Sequence, residues 1–103
     1  MHPFAALAEP RRRAILSLVR DEPRAASDIA REFPEITQQA VSLHLKALSE
    51  AGLVDVRPAG RRRLYVLRPE GLQPVRDYLE ELWPERLALL KQAVEREVRR
   101  GDR

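Results

Sequence analysis

The sequence predicts a mainly α-helical protein with one small β-hairpin, and three observations support this prediction. Apolar residues recur every three or four positions over most of the chain, which is the spacing of one face of an α-helix. One stretch, residues 53–67, instead favours two short strands on either side of a glycine, as in a hairpin. Prolines and glycines stand at the ends of these segments, where helices and strands stop.

The N-terminal part of the chain predicts two helices. Pro3 begins a short helical lead-in, and Pro10 opens a longer helix, because a proline in the first turn gives up no intrahelical hydrogen bond. Ile15 and Val19 lie on one apolar face of the longer helix. Residues 21–23, which include a proline, are expected to end it.

Two further helices follow and are separated by a tight turn. The first is expected over Ala26–Phe33, with Ser27 or Asp28 near its cap, and a proline ends it. Thr37 is a good N-cap for the second helix, because its hydroxyl can accept a hydrogen bond from a free backbone N–H. Gly52 is a good residue to follow the end of that helix.

The hairpin and a last helical region complete the chain. Leu53–Arg57 and Arg63–Leu67 favour strands because they are rich in β-branched and other strand-forming residues. Gly60, between them, is available for a positive φ angle in the turn. Pro69–Arg100 is helical again, and Pro84 predicts a kink or a break within it.

This order of elements predicts a winged helix-turn-helix. The helix-turn-helix covers about residues 26–51, the wing about 53–67 and a C-terminal dimerisation helix about 70–100, all within a single domain, 1–103. A polar helix face can enter the major groove of double-stranded DNA, and an arginine-bearing wing can contact phosphates. The residues expected to bind DNA are Thr37, Gln38, Gln39, Ser42, Leu43, His44, Lys46, Arg61 and Arg62.

More than one interpretation applies to Leu43, to His44 and to the triplet Arg11–Arg13. Leu43 lies among polar residues and either contacts a thymine methyl group or marks a weaker base readout. His44 is either a half-buried, hydrogen-bonded residue or an orienting or phosphate contact. Arg11–Arg13 opens a helix, where cations oppose the helix dipole, so a phosphate or an internal carboxylate is needed to compensate. In the wing, Arg63 is a weaker candidate than its two neighbours because strand residues alternate faces.

Self-association is a second prediction from the pattern. The apolar stripe of the last third is longer than one small core can cover, so we expect it to form a homodimer interface together with the N-terminal lead-in. The expected interface residues are Phe4, Leu7, Leu79, Leu82, Trp83, Leu87, Leu90 and Val94. A ligand pocket near Tyr78 and Trp83 is the alternative use of this stripe.

Composition argues against several classes of protein. The chain has no cysteine and only two histidines, which excludes disulfides and thiolate metal sites and makes a histidine metal site or catalytic network unfavourable. It shows no credible nucleophile–base pair and no phosphate-binding glycine loop, so we expect no enzyme activity, no cofactor and no metal. The net charge of +3 comes from clustered arginines, which suits a phosphate-bearing partner. No apolar run approaches the ~18 residues that cross a bilayer, so we expect a soluble, cytoplasmic protein without membrane contact.

Several motifs resemble the ArsR/SmtB-like bacterial repressors. The Ala-Val-Ser-x-His-Leu core of residues 40–45, followed by Lys-x-Leu and by Ala-Gly-Leu-Val, is the most specific of them. The resemblance covers residues 4–95 and is carried by these segments: Leu7–Leu16, Phe33–Leu48, Glu50–Val54, the wing Arg57–Leu67, and the last helix with Trp83 and Glu85–Leu87.

The resemblance implies a homodimeric repressor that binds a pseudo-palindromic operator. Metal-sensing members of that family hold the metal through cysteines in the helix before the recognition helix, or through histidines and carboxylates in the last helix. This sequence has Ala25–Asp28 at the first of these places and no histidine at the second, so it is similar to the metal-free branch. An unknown small-molecule effector stays open.

Two other functions are weighed against repression. One is a winged-helix module that binds a protein partner through the same surface, and the other is a ligand-gated sensor with a pocket near the last helix. The wing arginines and the twin glutamines Gln38 and Gln39 favour DNA, because an interaction module does not need this polar helix face.

Overall fold

The computed structural model describes residues 1–101, except for the side chains of residues 84, 86–88 and 101. Its helices are α1 Pro3–Leu7, α2 Pro10–Asp21, α3 Ala26–Arg31, α4 Gln38–Glu50, α5 Gln73–Leu82 and α6 Pro84–Gly101. Its strands are β1 Arg24–Ala25, β2 Val54–Ala59 and β3 Arg62–Leu67, and a 3-10 helix covers Pro69–Leu72. The predicted fold class, mainly α with a small β-hairpin, is confirmed.

The chain divides into two compact units, Met1–Gln73 and Pro74–Arg103. The first unit contains the helix-turn-helix and the sheet, and the second contains most of α5 and all of α6. The prediction that residues 1–103 form a single domain stays a prediction.

The first unit has one hydrophobic core. Helices α1 to α4 and the sheet contribute to it, and α4 supplies the largest share of its fully buried side chains. The buried residues are Ala6, Ile15, Leu16, Val19, Ile29, Val41, Leu45, Leu48, Ala51, Leu53 and Val54. Because the inner face of α4 is anchored in this core, its outer face is held in a fixed orientation.

Local sequence signals set both ends of α4. The Oγ1 atom of Thr37 accepts a hydrogen bond from the backbone N–H of Ala40 at 3.0 Å, as the predicted N-cap requires. At the other end, the N–H of Leu53 donates to the carbonyl of Leu48 at 2.9 Å, and the N–H of Gly52 donates to the carbonyl of Ser49 at 3.0 Å. This pair of bonds is a Schellman motif, and it orients the chain into the wing.

The sheet differs from the prediction by one strand and by the length of its hairpin. Its order is β1-β3-β2 and both pairings are antiparallel, with Arg24 opposite Tyr65 and Val54 opposite Leu67. The hairpin pairs as far as Ala59 and Arg62, so its turn is shorter than expected. Strand β1 was not predicted, because two residues are too few to show a strand pattern.

Two helix predictions need correction. Helix α3 ends at Arg31 rather than at Phe33, and its N-cap is Ala25, which makes no side-chain capping bond, so neither Ser27 nor Asp28 caps it. The last helical region is broken at Pro84, with α5 ending at Leu82. The break has a direct cause, since proline has no N–H to continue the helical hydrogen bonds.

Candidate nucleic-acid interface

One face of α4, together with the residue that caps its N-terminal end, is exposed to solvent. The residues on this face line a single open depression, and all of them were predicted to bind DNA: Thr37, Gln38, Gln39, Ser42, Leu43 and Lys46. Four of them recur at the spacing of one helical face, over residues 39–46. We call this set the α4 face. It combines amide, hydroxyl, ammonium and apolar groups on a helix that is anchored from behind.

His44 is separated from the α4 face by its burial. Its side chain is only 20% exposed. Arg12 Nε donates a hydrogen bond to His44 Nδ1 at 3.3 Å, which requires that this nitrogen carry no proton. Glu9 Oε2 lies 3.9 Å from the same nitrogen, beyond hydrogen-bond distance. The half-buried, hydrogen-bonded interpretation of His44 therefore matches the geometry.

Glu9 joins this cluster by capping α2. Its Oε2 accepts a hydrogen bond from the backbone N–H of Arg12 at 3.0 Å. Partial desolvation raises the pKa of Glu9, but the backbone hydrogen bonds from Arg12 and Arg11 outweigh that effect and hold the pKa below its ordinary value of 4.5. Its negative charge is also the compensation that the arginine-rich helix start was expected to need.

The arginines of the triplet Arg11–Arg13 all have partners within the protein. Arg11 Nη2 donates to Glu35 Oε1 at 2.8 Å, and this ion pair joins α2 to the turn before α4. Arg13 Nη1 donates to the carbonyl oxygen of Leu7 at 2.7 Å, which caps the end of α1. Of the two interpretations of this triplet, the structure matches the internal one.

The arginines of the wing differ in whether they have a partner within the protein. Arg62 Nη2 donates to Asp28 Oδ2 at 2.5 Å, and this ion pair joins the wing to α3. The hydrogen bond from Arg62 is the main reason that the pKa of Asp28 lies below its ordinary value of 3.8. Arg61 and Arg63 are exposed and make no ion pair with any residue that the structure describes.

The distribution of unpaired cations is informative in the first unit, whose residues are all described. Its other arginines bond to a carboxylate, a carbonyl oxygen or His44. The basic side chains in Met1–Gln73 that have no such partner are Lys46, Arg57, Arg61 and Arg63. One lies on the α4 face and three lie on the wing. Arg57 was missed by sequence reasoning, although its place near the hairpin tip was a usable signal.

The predicted dimer residues fall into three groups. Phe4, Leu82, Trp83, Leu90 and Val94 are exposed, four of them by more than half. Leu7 is partly buried and packs against the core of the first unit, and Leu79 is partly buried. The side chain of Leu87 lies outside the described residues. Tyr78 and Trp83, proposed as pocket residues, are each about half exposed.

Two other kinds of feature are absent from the part of the chain that the structure describes. None of the described helices is both long and apolar enough to cross a membrane. Among the same residues, no three His, Asp or Glu side chains lie close enough together to hold a metal ion.

Comparisons with known proteins agree with the fold. A family profile described as a helix-turn-helix domain matches residues 7–57. The chain is 42% identical over 94 residues to the HTH-type transcriptional regulator Rv2034 of Mycobacterium tuberculosis, covering 91% of this chain and 87% of that protein.

Solved structures of transcriptional regulators are also similar to this chain. An ArsR-like transcriptional regulator from Rhodococcus sp. RHA1 superposes with a TM-score of 0.68 at 34% identity, covering 87% of each chain. The homodimeric winged helix-turn-helix DNA-binding domain Mb0332 from Mycobacterium bovis, a possible ArsR-family regulator, superposes with a TM-score of 0.60 at 31% identity, covering 79% of this chain and 74% of that one.

Proposed function

This chain belongs to the ArsR-like family of winged helix-turn-helix transcriptional regulators, and we propose that it is a homodimeric repressor of a pseudo-palindromic operator. It carries a helix-turn-helix DNA-binding domain and is not an enzyme. We further propose that it acts in the cytoplasm. The observation that carries the proposal is the α4 face, with unpaired cations on the same helix and on the wing.

The chemistry of the α4 face supports base recognition. The amides of Gln38 and Gln39 can each bond to both N6 and N7 of an adenine, while the hydroxyl of Ser42 serves as donor or acceptor. Lys46 adds a positive charge with no protein partner. The DNA backbone supplies the phosphate partner that Lys46, Arg61 and Arg63 lack. These cations therefore account for affinity, while the polar side chains of the α4 face account for sequence readout.

The second unit supports the homodimer. Helices α5 and α6 and the residue between them carry apolar side chains that are more than half exposed: Leu82, Trp83, Leu89, Leu90, Val94 and Val98. Leaving these side chains in water is unfavourable, since each large apolar side chain gains about 1.5–3 kcal/mol on burial. A second copy of the chain covers them in our proposal, as the homodimeric state of the Mycobacterium bovis domain suggests.

Two copies also explain how a small domain gains useful specificity. One recognition helix contacts only a few base pairs, which is too little in a genome full of competing sites. Two helices related by a two-fold axis read half-sites whose centres lie about one helical turn apart, roughly 34–36 Å. The operator is therefore expected to be a two-fold repeat.

Selection of bound fragments from random double-stranded DNA tests the proposal. The expected result is an enriched motif that contains two inverted half-sites. Gln39→Ala should relax the base preference at one position of each half-site and cost ~1–3 kcal/mol on the operator. The DNA-binding proposal fails if no motif is enriched and a protein partner instead binds tightly to the same face.

A separate experiment tests the homodimer. Leu90 and Val94 lie one helical turn apart and are both exposed. Leu90→Glu combined with Val94→Glu should give monomers in sedimentation velocity and much weaker operator binding. Lys91→Glu combined with Glu95→Lys, which changes exposed charges on the same helix, is the control and should stay dimeric. If the double glutamate variant remains dimeric, α6 is not part of the dimer interface.

A further inference from the structure

Leu43 is the most exposed large apolar side chain of the first unit. It is 68% exposed, against 54% for Met1 and 42% for Phe4 at the N-terminus of the chain. Exposed leucines are common and need no special explanation by themselves. The position of Leu43 at the centre of the α4 face is what distinguishes it.

The surroundings of Leu43 show that it does not serve the core. The apolar residues Val41, Leu45 and Leu48 of the same helix are at most 1% exposed and point into the core. Leu43 is followed three residues later by Lys46 and preceded four residues earlier by Gln39, so the three share one face at helical spacing. An apolar group is therefore presented to solvent between polar side chains.

We propose that Leu43 determines sequence specificity by contacting the C5-methyl group of a thymine in each half-site. This inference rests on the proposed function. The C5-methyl group of thymine is the apolar feature that the bases present in the major groove. The amide, hydroxyl and ammonium groups beside Leu43 read hydrogen-bonding atoms or phosphates, so they leave the methyl group to the leucine.

The spacing along α4 indicates which base pairs are read together. Residues 39 and 43 are four positions apart, which is about 6 Å along a helix axis. Successive base pairs rise by about 3.4 Å. Because a helix in the major groove is inclined to the DNA axis, we expect Gln39 and Leu43 to contact different base pairs that lie at most about two steps apart. The expected half-site contains an adenine contacted by Gln39 and, near it, a thymine contacted by Leu43.

A protein partner is a weaker match to the same surface. Protein interfaces are centred on clusters of aromatic and apolar anchors that become fully desolvated together. Leu43 is a single apolar side chain with Gln39, Ser42 and an unpaired Lys46 around it. A DNA groove, with acceptor atoms, phosphates and isolated methyl groups, matches this mixture of groups.

The experiment removes one methyl group at a time from the DNA. Each thymine of the selected operator is replaced by deoxyuridine, and the affinity of the full-length dimer is measured at fixed salt. One thymine per half-site should respond, with about fourfold weaker binding per methyl group removed, because a buried methylene contributes ~0.8 kcal/mol. Replacing that thymine by cytosine should weaken binding, and 5-methylcytosine should recover part of the loss.

Variants of the protein assign the effect to Leu43. Leu43→Ala should bind the thymine and deoxyuridine operators equally, and its exposed position means that its thermal midpoint should stay near that of the unmodified protein. Gln39→Ala is the matched control and should keep the thymine preference at that position. Unequal binding by Leu43→Ala, or equal binding of both operators by the unmodified protein, overturns the inference while the repressor proposal stands. If no motif is enriched in the selection, both proposals fail together.

Discussion

Two arginine triplets occur in this chain, and the structure uses them in opposite ways. Arg11–Arg13 at the start of α2 is bonded to groups of the protein, including Glu35 and the carbonyl of Leu7. In the wing triplet, Arg61–Arg63, the middle residue is bonded to Asp28 and the outer two are not paired with any described residue. The sequence of the two triplets is the same, so the difference lies in what surrounds them.

The comparison teaches how to recognise a cation that is available for DNA. An arginine already bonded to a carboxylate must break that bond, with its own desolvation and geometry, before it can bind a phosphate. An unpaired, exposed arginine loses only hydration and side-chain freedom. What separates a structural arginine from one that can bind DNA is therefore whether it already has a partner within the protein. Clustering of arginines along the sequence does not make that distinction.

The largest effect is expected from removing the unpaired wing arginines. Arg61→Ala combined with Arg63→Ala should weaken binding to the operator and to unrelated DNA by similar factors, because phosphate contacts carry no sequence information. The slope of log affinity against log salt should shrink by about 2 per subunit, or ~0.9 per phosphate contact. Fluorescence anisotropy over a salt series measures both.

Charge loss elsewhere provides the control for that experiment. Arg20→Ala combined with Arg31→Ala removes the same charge from exposed, ion-paired positions on α2 and α3. This variant should keep the salt slope of the unmodified protein. An unchanged slope in the wing variant would mean that the wing does not contact the DNA backbone.

The next effect concerns the other triplet, where stability rather than affinity should change. Arg12 is part-buried and donates to His44, on the helix that carries the α4 face. Arg12→Ala should destabilise the protein by about 1 kcal/mol, a typical value for one lost hydrogen bond. The midpoint temperature of thermal unfolding should then fall by roughly 4–8 °C.

The salt slope of the Arg12→Ala variant distinguishes the two triplets. A structural arginine leaves the slope unchanged, so we expect no change. If the thermal midpoint holds and the slope falls by about 1, Arg12 contacts phosphate and the contrast between the triplets is wrong.

The ion pair between Arg62 and Asp28 is the intermediate case. Asp28→Asn removes the carboxylate that holds Arg62, and so frees a third wing arginine. If Arg62 binds DNA, as the sequence predicts, this variant should bind several-fold more tightly and its salt slope should increase by about 1 per subunit. Tighter binding without a steeper slope, or weaker binding, would instead make the pair a device that positions the wing. The control is Arg31→Ala, because Arg31 is the other arginine that contacts Asp28.

Local signals in the sequence were enough to predict the helices, the hairpin and the residues of the α4 face. The Thr37 cap, the Gly52 end of α4 and the break at Pro84 depend on a few adjacent residues, so the sequence shows them directly. The exposed face follows from helical periodicity, because the side opposite the buried stripe must face solvent.

Interactions across long sequence separations could not be predicted. Arg11 and Glu35 are 24 residues apart, and Arg62 and Asp28 are 34 apart, so neither pair leaves a pattern in the sequence. Gly71 is a similar case: a Cβ atom there would overlap the carbonyl oxygen of Gly52, a contact that only the folded chain brings together. Partner choice is set by tertiary packing, and residue type alone does not encode it.

The smallest expected effect is a dependence of stability on acid pH. The pKa of Glu35 lies below its ordinary value of 4.5, because its own backbone N–H and the Arg11 side chain both bond to the carboxylate. A lowered folded-state pKa means that the stabilising contribution is complete above the unfolded value and is lost as the pH falls through the folded one. Glu35→Gln should therefore be slightly less stable than the unmodified protein at pH 7, and the two should converge as the pH falls below the folded-state pKa of Glu35.

Urea unfolding at a series of pH values measures this convergence. Glu32→Gln is the matched control, because Glu32 lies three residues away, is exposed and has no ion pair among the described residues. It should show no such pH-dependent difference. A Glu35→Gln variant that differs from the unmodified protein equally at pH 3 and pH 7 would show that the ion pair does not cause the difference. The Arg11 side chain would then be available for phosphate, and the two triplets would be more alike than the structure indicates.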